Sequence, residues 1–240
     1  MIQEYARLTV TPTSSGNELA SAASRTHRAT LRARCPFGRF LGDARNADSR
    51  MVCVSGRYAL HMPCLVLING APGSGKSTIA QALAQDREMT LALEVDAIKH
   101  SLGRWDADPS ASGLHARRLS LALAEHHLSA GYDVIVGQYL ARTPFIEDLA
   151  ALAKRHHEPL FEFVLDIDAS TLSDRLALRT SVPNRREHAV NNRLVGPADA
   201  SRLVESMKAL RHKRPDAIWI DARGSVSSTL DLLRATLVEA

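Results

Sequence analysis

The sequence predicts an α/β fold in which a five-stranded, mostly parallel sheet is covered by helices on both faces. Two observations predict it. From Met62 onward, short continuous apolar runs alternate with longer helical stretches, which is the pattern of strands that are buried on both faces and joined by helical crossovers. A glycine-rich turn also joins the first apolar run directly to the first helical stretch, as a tight strand-to-helix junction requires.

The elements can be placed in order along the chain. We predict strands over residues 64–68, 91–95, 134–137, 160–165 and 217–220. We predict helices over residues 76–85, 97–102, 112–130, 144–156, 169–178, 197–213 and 225–238. Several begin at recognisable signals: Thr143 precedes Pro144, and proline is favoured at the first helical position. The segment 180–196 contains Pro183 and a polar run without apolar period, so it predicts a small lid.

The first 61 residues differ in character from the rest. They are rich in Ser, Thr, Ala and Arg and have no sustained apolar period, so we predict a disordered N-terminal extension over 1–61 and one domain over 62–240. Two alternatives stay open for the extension. Met62 is the true start, or the Arg-rich, Lys-free leader is an organellar transit segment, although its acidic residues weigh against that.

Size and composition favour one globular domain. The chain has 240 residues, of which 45% are apolar, and this is enough for a core. No apolar run approaches the roughly 18 to 20 residues that a membrane helix needs, and the N-terminus lacks the apolar centre of a secretory signal. We therefore expect a soluble, cytoplasmic protein with no membrane partner. Cys35, Cys53 and Cys64 are irregularly spaced, which favours free thiols over a metal site.

The net charge of +4 is unevenly distributed. Residues 1–61 contain nine arginines, no lysine and four acidic residues, so they carry +5, and the remaining 21 basic and 22 acidic residues leave −1. A nearly neutral domain does not present a track for a polyanion. The charge pattern therefore argues against nucleic acid as the obligate substrate.

The strongest motif spans residues 70–78, which we call the phosphate loop. Its residues are Gly70, Ala71, Pro72, Gly73, Ser74, Gly75, Lys76, Ser77 and Thr78, and they match G-x-x-x-x-G-K-[ST]. The glycines let successive amides point at phosphate oxygens, and the following helix adds its positive end. We expect Lys76 to reach the β- and γ-phosphates of ATP and Ser77 to coordinate Mg²⁺. A chance turn is disfavoured because a strand enters the motif and an amphipathic helix leaves it.

Three further segments accompany the phosphate loop: Glu94-Val95-Asp96, TLSDRLALRT at 171–180 and IDARGSVSSTLDLL at 220–233. With them, residues 62–240 resemble the small P-loop kinases that include chloramphenicol phosphotransferase, the zeta toxins and polynucleotide-type kinases, within the AAA-type P-loop NTPase superfamily. The resemblance implies a three-layer P-loop NTPase fold with a small lid.

The resemblance implies roles for residues after the second strand. Asp96 stands where relatives place a carboxylate beside the acceptor hydroxyl, which implies a catalytic base and, with Ser77, a metal ligand. The alternative is that Asp96 caps the following helix. Lys99 stands where relatives often have a basic residue that contacts phosphate or acceptor, although a solvated lysine is the alternative. Trp105 either stacks on the acceptor or anchors the packing.

The resemblance also implies roles for arginines near the lid. Arg175 and Arg179 are four residues apart, so they share one helix face and can meet the transferring phosphoryl group. Arg185 and Arg186 fall in the lid and either close over ATP or lie in a solvated turn. Residues 222–225 are implied to lie beside adenine.

One departure from the family pattern concerns the third strand. Relatives commonly place there a carboxylate that supports Mg²⁺, whereas this chain has Gly137 and Gln138. The departure leaves Ser77 and Asp96 to organise the metal, and Gln138 to read the acceptor.

These residues lead to one hypothesis and two alternatives. The hypothesis is a kinase that uses ATP and Mg²⁺ to phosphorylate a hydroxyl of a small-molecule acceptor. The alternatives are a nucleotide-binding regulatory protein with weak ATPase activity, motivated by the missing third-strand carboxylate, and a nucleic-acid end kinase that uses the Arg-rich extension. The identity of the acceptor and the oligomeric state stay open at this point.

Overall fold

The computed structural model describes residues 50–54, 57–181 and 195–239. The strands are β1 Arg50–Val54, β2 Arg57–His61, β3 Leu65–Gly70, β4 Leu91–Leu93, β5 Val134–Gln138, β6 Leu160–Asp166 and β7 Ile218–Asp221. The α-helices are α1 Lys76–Ala84, α2 Val95–Ser101, α3 Pro109–Ser129, α4 Pro144–His156, α5 Ala169–Ser181, α6 Ala200–Arg211 and α7 Val226–Glu239. A single 3₁₀ turn, Pro197–Asp199, precedes α6.

Five of the strands form one sheet in the order β4-β5-β3-β6-β7. Each of the four neighbouring pairs is parallel, and helices lie between successive strands along the chain. The predicted fold class, an α/β fold of the P-loop NTPase type with a five-stranded sheet, is confirmed. Because all five strands point the same way, their carboxyl ends and the loops that follow them lie along one edge of the sheet.

The central strand β3 is buried along its whole length. Its side chains alternate between two apolar clusters, as the period of a strand requires. Leu65 and Leu67 belong to the cluster that includes residues of α3, α4, α5 and α6. Val66 and Ile68 belong to the cluster that includes residues of α1 and α7. The sheet is therefore covered by helices on both faces. The phosphate loop follows the carboxyl end of β3.

Two helices begin earlier than the sequence predicted. Helix α2 starts at Val95, with Glu94 as its N-cap, because β4 already ends at Leu93. Helix α3 starts at Pro109 because the carboxylate of Asp108 accepts hydrogen bonds from the amides of Ser110 and Ala111, at 3.0 and 2.9 Å. The predicted starts at residues 97 and 112 were therefore wrong. A capping carboxylate satisfies helix amides that would otherwise lack a partner.

The predicted N-terminal extension lies almost wholly outside the described residues, so its disorder stays a prediction. Its last part is described: β1 and β2 pair as an antiparallel hairpin, in which Arg50 stands opposite His61. The sequence analysis placed no strand there. The predicted lid over 180–196 also lies mainly outside the described residues. Among the helices that the structure describes, none combines the length and the apolar character needed to cross a membrane.

A buried carboxylate ties together the amino ends of three strands. Asp133 precedes β5, and its Oδ1 accepts the backbone N–H of Cys64 at 2.9 Å, while Oδ2 lies 2.9 Å from Nη1 of Arg87. Its backbone carbonyl accepts the N–H of Leu91 at 3.0 Å. Burial, followed by the nearby Asp133 charge, raises the pKa of the Cys64 thiol to about 12. Cys64 is thus a neutral thiol beside the Asp133 carboxylate.

We expect Asp133→Ala to lower the free energy of unfolding by about 1–3 kcal/mol, because the buried amide of Cys64 loses its acceptor. Urea denaturation measures the change. The matched control is Asp231→Ala, because the exposed Asp231 makes only a long contact of 3.5 Å with Arg234 and exposed pairs contribute little. Equal unfolding midpoints for the two variants would contradict a stabilising role of Asp133.

Candidate active site

The phosphate loop joins the buried strand β3 to the first turn of α1. Gly73 and Gly75 adopt positive φ angles of 90° and 101°, which is a conformation that residues with a Cβ rarely adopt. A Cβ at Gly73 would also lie 3.0 Å from the side chain of Leu176. The glycines therefore allow the loop to curl tightly while it packs against α5. Curled backbone at a helix N-terminus is the standard geometry for binding an anion.

Lys76 is the buried cation of the site. It is 9% exposed, and its Nζ donates a hydrogen bond to the carbonyl of Ala71 at 2.8 Å. Burial, helped by the charge of Arg179, lowers its pKa to about 8, although the charges of Asp96 and Glu94 raise it. These three charged side chains therefore lie within electrostatic range of Lys76.

Asp96 and Glu94 occupy the first turn and the N-cap of α2. Asp96 is partly exposed and lies inside the helix rather than before it, so the alternative that it caps a helix starting at Ala97 was wrong. Glu94 makes no capping hydrogen bond with its side chain. Instead, its Oε1 accepts a hydrogen bond from Nε2 of Gln81 on α1 at 3.0 Å. Glu94 thus contacts the helix that follows the phosphate loop, and sequence reasoning singled out only Asp96.

Arg175 connects two loops at the carboxyl edge of the sheet. Its guanidinium donates to the carbonyl of Ser74 at 3.2 Å and to the carbonyls of Arg223 and Gly224 at 3.3 and 2.7 Å. It therefore connects the phosphate loop with the loop after β7. The family resemblance implied that residues 222–225 of this second loop lie beside adenine. The structure places Arg175 at this end of the site, and its predicted role at the transferring phosphoryl group stays a prediction.

Arg179 lies one helical turn beyond Arg175, and its charge acts on Lys76. Its Nη2 donates to the carbonyl of Val195 at 3.3 Å, which is the first described residue after position 181. Burial lowers the pKa of its guanidinium. Although Arg175 and Arg179 are four residues apart on one helix, their guanidinium groups contact different loops. Arg185 and Arg186 lie outside the described residues, so nothing is established about their contacts.

Asn69 is a buried polar residue that sequence reasoning missed. Its Oδ1 accepts the amides of Gly70 and Leu140 at 2.8 and 2.9 Å, and its Nδ2 donates to the carbonyl of Leu140 at 3.0 Å. The side chain thereby joins the phosphate loop to the loop after β5. An asparagine at the end of an otherwise apolar strand was the one available signal, because buried amides are retained where they are fully hydrogen-bonded.

Gly137 explains why the third strand of the sequence analysis carries no carboxylate. A Cβ at Gly137 would lie 3.3 Å from Cβ of Ala80 and 3.5 Å from the carbonyl of Lys76. Helix α1 therefore packs so closely on β5 that a side chain at Gly137 would press against it and require a small shift. Gln138, the next residue, pairs in register with Asn69 and is partly exposed at the edge of the sheet.

Residues of α2 and of the segment that follows it are the candidate contacts of the acceptor. The ring of Trp105 lies 4.5 Å from that of His100, and Nζ of Lys99 lies 5.1 Å from the Trp105 ring. Trp105 is therefore in contact with α2, as the packing interpretation expected, and it remains partly exposed. Lys99 is engaged in a cation–π contact, so it is more than a solvated helix lysine.

The donor atoms at the phosphate loop suit a hard divalent cation. Ser77 is partly exposed in the first turn of α1, and the carboxylates of Asp96 and Glu94 lie on the same side of the sheet edge. Mg²⁺ prefers such oxygen ligands and usually uses only one or two carboxylates beside phosphates and water. Within the described ranges there is no cluster of three or more His, Cys, Asp or Glu residues that could hold a metal by itself. The residues therefore fit Mg²⁺ that is bound together with a phosphate ligand.

Comparisons with known proteins agree with the fold. The model of a family described as AAA domain matches residues 65–195. The crystal structure of a proposed kinase from Chloroflexus aurantiacus is similar over 75% of this chain and 99% of that chain, with 18% identity and a TM-score of 0.52. The tunicamycin resistance protein of Deinococcus radiodurans is similar over 73% of this chain and 95% of that chain, with 17% identity and a TM-score of 0.50. No curated protein matches by sequence.

We expect Gly137→Asp to lower the free energy of unfolding by about 1–3 kcal/mol, because the new side chain presses against α1. The matched control is Gly103→Asp, since a Cβ at Gly103 meets no atom within 4 Å. Thermal unfolding of both variants measures the difference. If Gly137→Asp were as stable as Gly103→Asp, close packing would not explain the missing carboxylate.

Proposed function

The chain belongs to the AAA domain family, whose P-loop NTPase fold it shares, and on this premise we propose that it is an ATP-dependent kinase. The proposed reaction transfers the γ-phosphoryl group of ATP to a hydroxyl of a small-molecule acceptor. The observation that carries the proposal is the curled phosphate loop at the start of α1 with its buried Lys76, and the charges of Asp96 and Arg179 act on that lysine. A cation, a guanidinium and a carboxylate are the groups that phosphoryl transfer to a hydroxyl requires.

In this proposal, three parts of the site contact different parts of the nucleotide. The amides of the phosphate loop and Lys76 bind the phosphates. Arg175, beside the carbonyls of Arg223 and Gly224, lies where the base would enter, and its planar guanidinium suits stacking on a base. Arg179 lies nearer to Lys76 and stabilises the negative charge of the transferring group.

Asp96 acts on the acceptor. In the proposed reaction the acceptor oxygen forms a bond to the γ-phosphorus, the bond from that phosphorus to the bridging oxygen of ADP breaks, and Asp96 takes the hydroxyl proton. Ser77 and Asp96 would hold Mg²⁺, which neutralises phosphate charge when it is bound. Trp105 and Lys99, which contact each other, orient the acceptor in this proposal. Fold likeness to a proposed kinase supports the reaction class and says nothing about the acceptor.

A second candidate is a nucleotide-binding regulatory protein with little turnover. The observation in its favour is Gly137, because its close contact with Ala80 removes the position of a third-strand carboxylate. The two candidates differ in their products. A kinase forms a phosphorylated acceptor when ATP is supplied with a panel of hydroxyl-bearing metabolites, whereas the regulatory protein binds ATP and forms none. An oligonucleotide in the same panel tests the end-kinase alternative.

We expect Lys76→Ala to lower the affinity for ATP at least tenfold and to abolish transfer, because a buried cation beside the phosphates is lost. Calorimetric titration and ADP formation measure the two effects. The matched control is Lys208→Ala on α6, where the exposed lysine pairs with Glu205. Unchanged ATP affinity in Lys76→Ala would refute nucleotide binding at this loop.

We expect Asp96→Asn to bind ATP with nearly the affinity of the wild type while transfer falls by roughly a hundredfold or more. An amide can still contact the acceptor, but it cannot take the proton, and general-base catalysis contributes about that factor. Titration with ATP and single-turnover assays with the acceptor separate the two quantities. An equal loss of affinity and transfer would place Asp96 at the nucleotide instead.

The affinity for ATP is expected to fall as the pH rises through about 8. The pKa of Lys76 is lowered to about 8 in the ligand-free protein, so the ammonium that attracts phosphate is present below this pH and lost above it. The limiting slope is roughly tenfold per pH unit. Titrations across this range measure it. Lys76→Arg is the control, because a guanidinium keeps its charge and should show no such fall. A flat wild-type profile would contradict the assignment.

A further inference from the structure

Glu94 is a carboxylate at the sheet edge to which neither the sequence motifs nor the comparisons give a role. It follows β4 and forms the N-cap of α2 with extended backbone, φ −108° and ψ 108°. Acidic side chains at this position usually bond to the amides of their own helix, but the carboxylate of Glu94 makes no such bond. Its side chain turns instead to α1, where Oε1 meets Nε2 of Gln81 at 3.0 Å.

The contact with Gln81 fixes the face of α1 that Glu94 approaches. Gln81 lies four residues after Ser77 in the same helix, and side chains at this spacing are neighbours, with Cβ atoms roughly 5–6 Å apart. The carboxylate is therefore held beside the turn that presents the Ser77 hydroxyl.

A negative charge at this place is unfavourable for a triphosphate unless a cation lies between them. Two carboxylates, Asp96 and Glu94, stand at the junction of β4 and α2, so this edge carries more negative charge than the acceptor base alone requires. Mg²⁺ in nucleotide sites keeps several water ligands and uses one or two carboxylates. A carboxylate near Ser77 can therefore support the cation without touching it.

The strand order makes Glu94 the available substitute for the missing acidic residue. Strand β5, next to β3, carries no side chain at Gly137, where α1 packs closely against it. Strand β4 is the next neighbour of β5, and Glu94 follows its last residue. A glutamate has one methylene more than an aspartate, which helps a side chain from the more distant strand to extend towards α1.

We propose that Glu94 supports the divalent cation bound with the nucleotide, in place of the carboxylate that β5 does not carry, so that Asp96 serves the acceptor. The proposal rests on the proposed function, since it presumes that ATP binds at the phosphate loop. It replaces the sequence-based expectation in which Ser77 and Asp96 alone organise the metal. Glu94 is here a positioning residue for the cation and takes no part in proton transfer.

The test compares ATP binding with and without Mg²⁺ in the wild type and in Glu94→Gln. Glutamine keeps an oxygen that accepts the hydrogen bond from Gln81 and removes only the charge. We expect Glu94→Gln to bind metal-free ATP as tightly as the wild type or more tightly, because a repulsive charge is gone. We expect its affinity for Mg²⁺ in the presence of ATP to fall roughly tenfold to a hundredfold, as for other residues that support a metal.

Two readouts and two controls make the outcome decisive. Calorimetry gives the ATP affinities, and the free Mn²⁺ signal in electron paramagnetic resonance gives cation binding without any turnover. Glu205→Gln, on the exposed face of α6 beside Lys208, controls for the loss of one negative charge. Urea denaturation of each variant checks that a purely structural change is not the cause.

Each outcome bears on one of the two proposals. If Glu94→Gln weakens ATP with and without the cation equally, or leaves the cation affinity unchanged, the role of Glu94 is refuted while nucleotide binding stands. If Asp96→Asn, and not Glu94→Gln, removes the preference for the cation, Asp96 is the metal ligand and the inference is overturned. If the wild type binds no ATP under either condition, the proposed function fails first and the inference falls with it.

Discussion

A buried ammonium group at the end of the central strand is the constraint on which the rest of the site depends. Lys76 is almost completely enclosed and donates a hydrogen bond to the carbonyl of Ala71. Burying a charge is costly unless other groups compensate it. The carboxylates of Asp96 and Glu94 supply part of that compensation, and a phosphate ligand would supply more. The site is therefore electrostatically prepared for an anion.

The scaffold that holds this charge is made of long-range polar bonds between loops. Asn69 fastens the phosphate loop to the loop after β5, and Arg175 fastens it to the loop after β7. Both connections run along the carboxyl edge of one parallel sheet, where ligands of open α/β folds bind. Preorganised dipoles of this kind need little rearrangement when charge develops during a reaction. The fold thus explains why the loops, rather than the strands, carry the chemistry.

Close packing and electrostatics are linked through α1. The helix presents Lys76 and Ser77 at its first turn, and it packs tightly against Gly137 of β5. The carboxylates of Glu94 and Asp96 stand at the junction of β4 and α2, on the other side of β5. In the proposal, the glycine in β5 and the acidic residues after β4 together set the distribution of charge around the cation.

The sequence by itself determined the α/β fold, the strand order along the chain and the phosphate loop with Lys76 and Ser77, because periodicity and the strand–glycine–helix junction are local properties. It also singled out Asp96 and Arg179, through their positions in motifs. Only the tertiary structure decided that Glu94 faces α1, that Asn69 joins two loops 71 residues apart and that Arg175 reaches the loop after β7. These contacts join residues that are distant in sequence, so they depend on how helices pack on the sheet, and no local spacing encodes that packing.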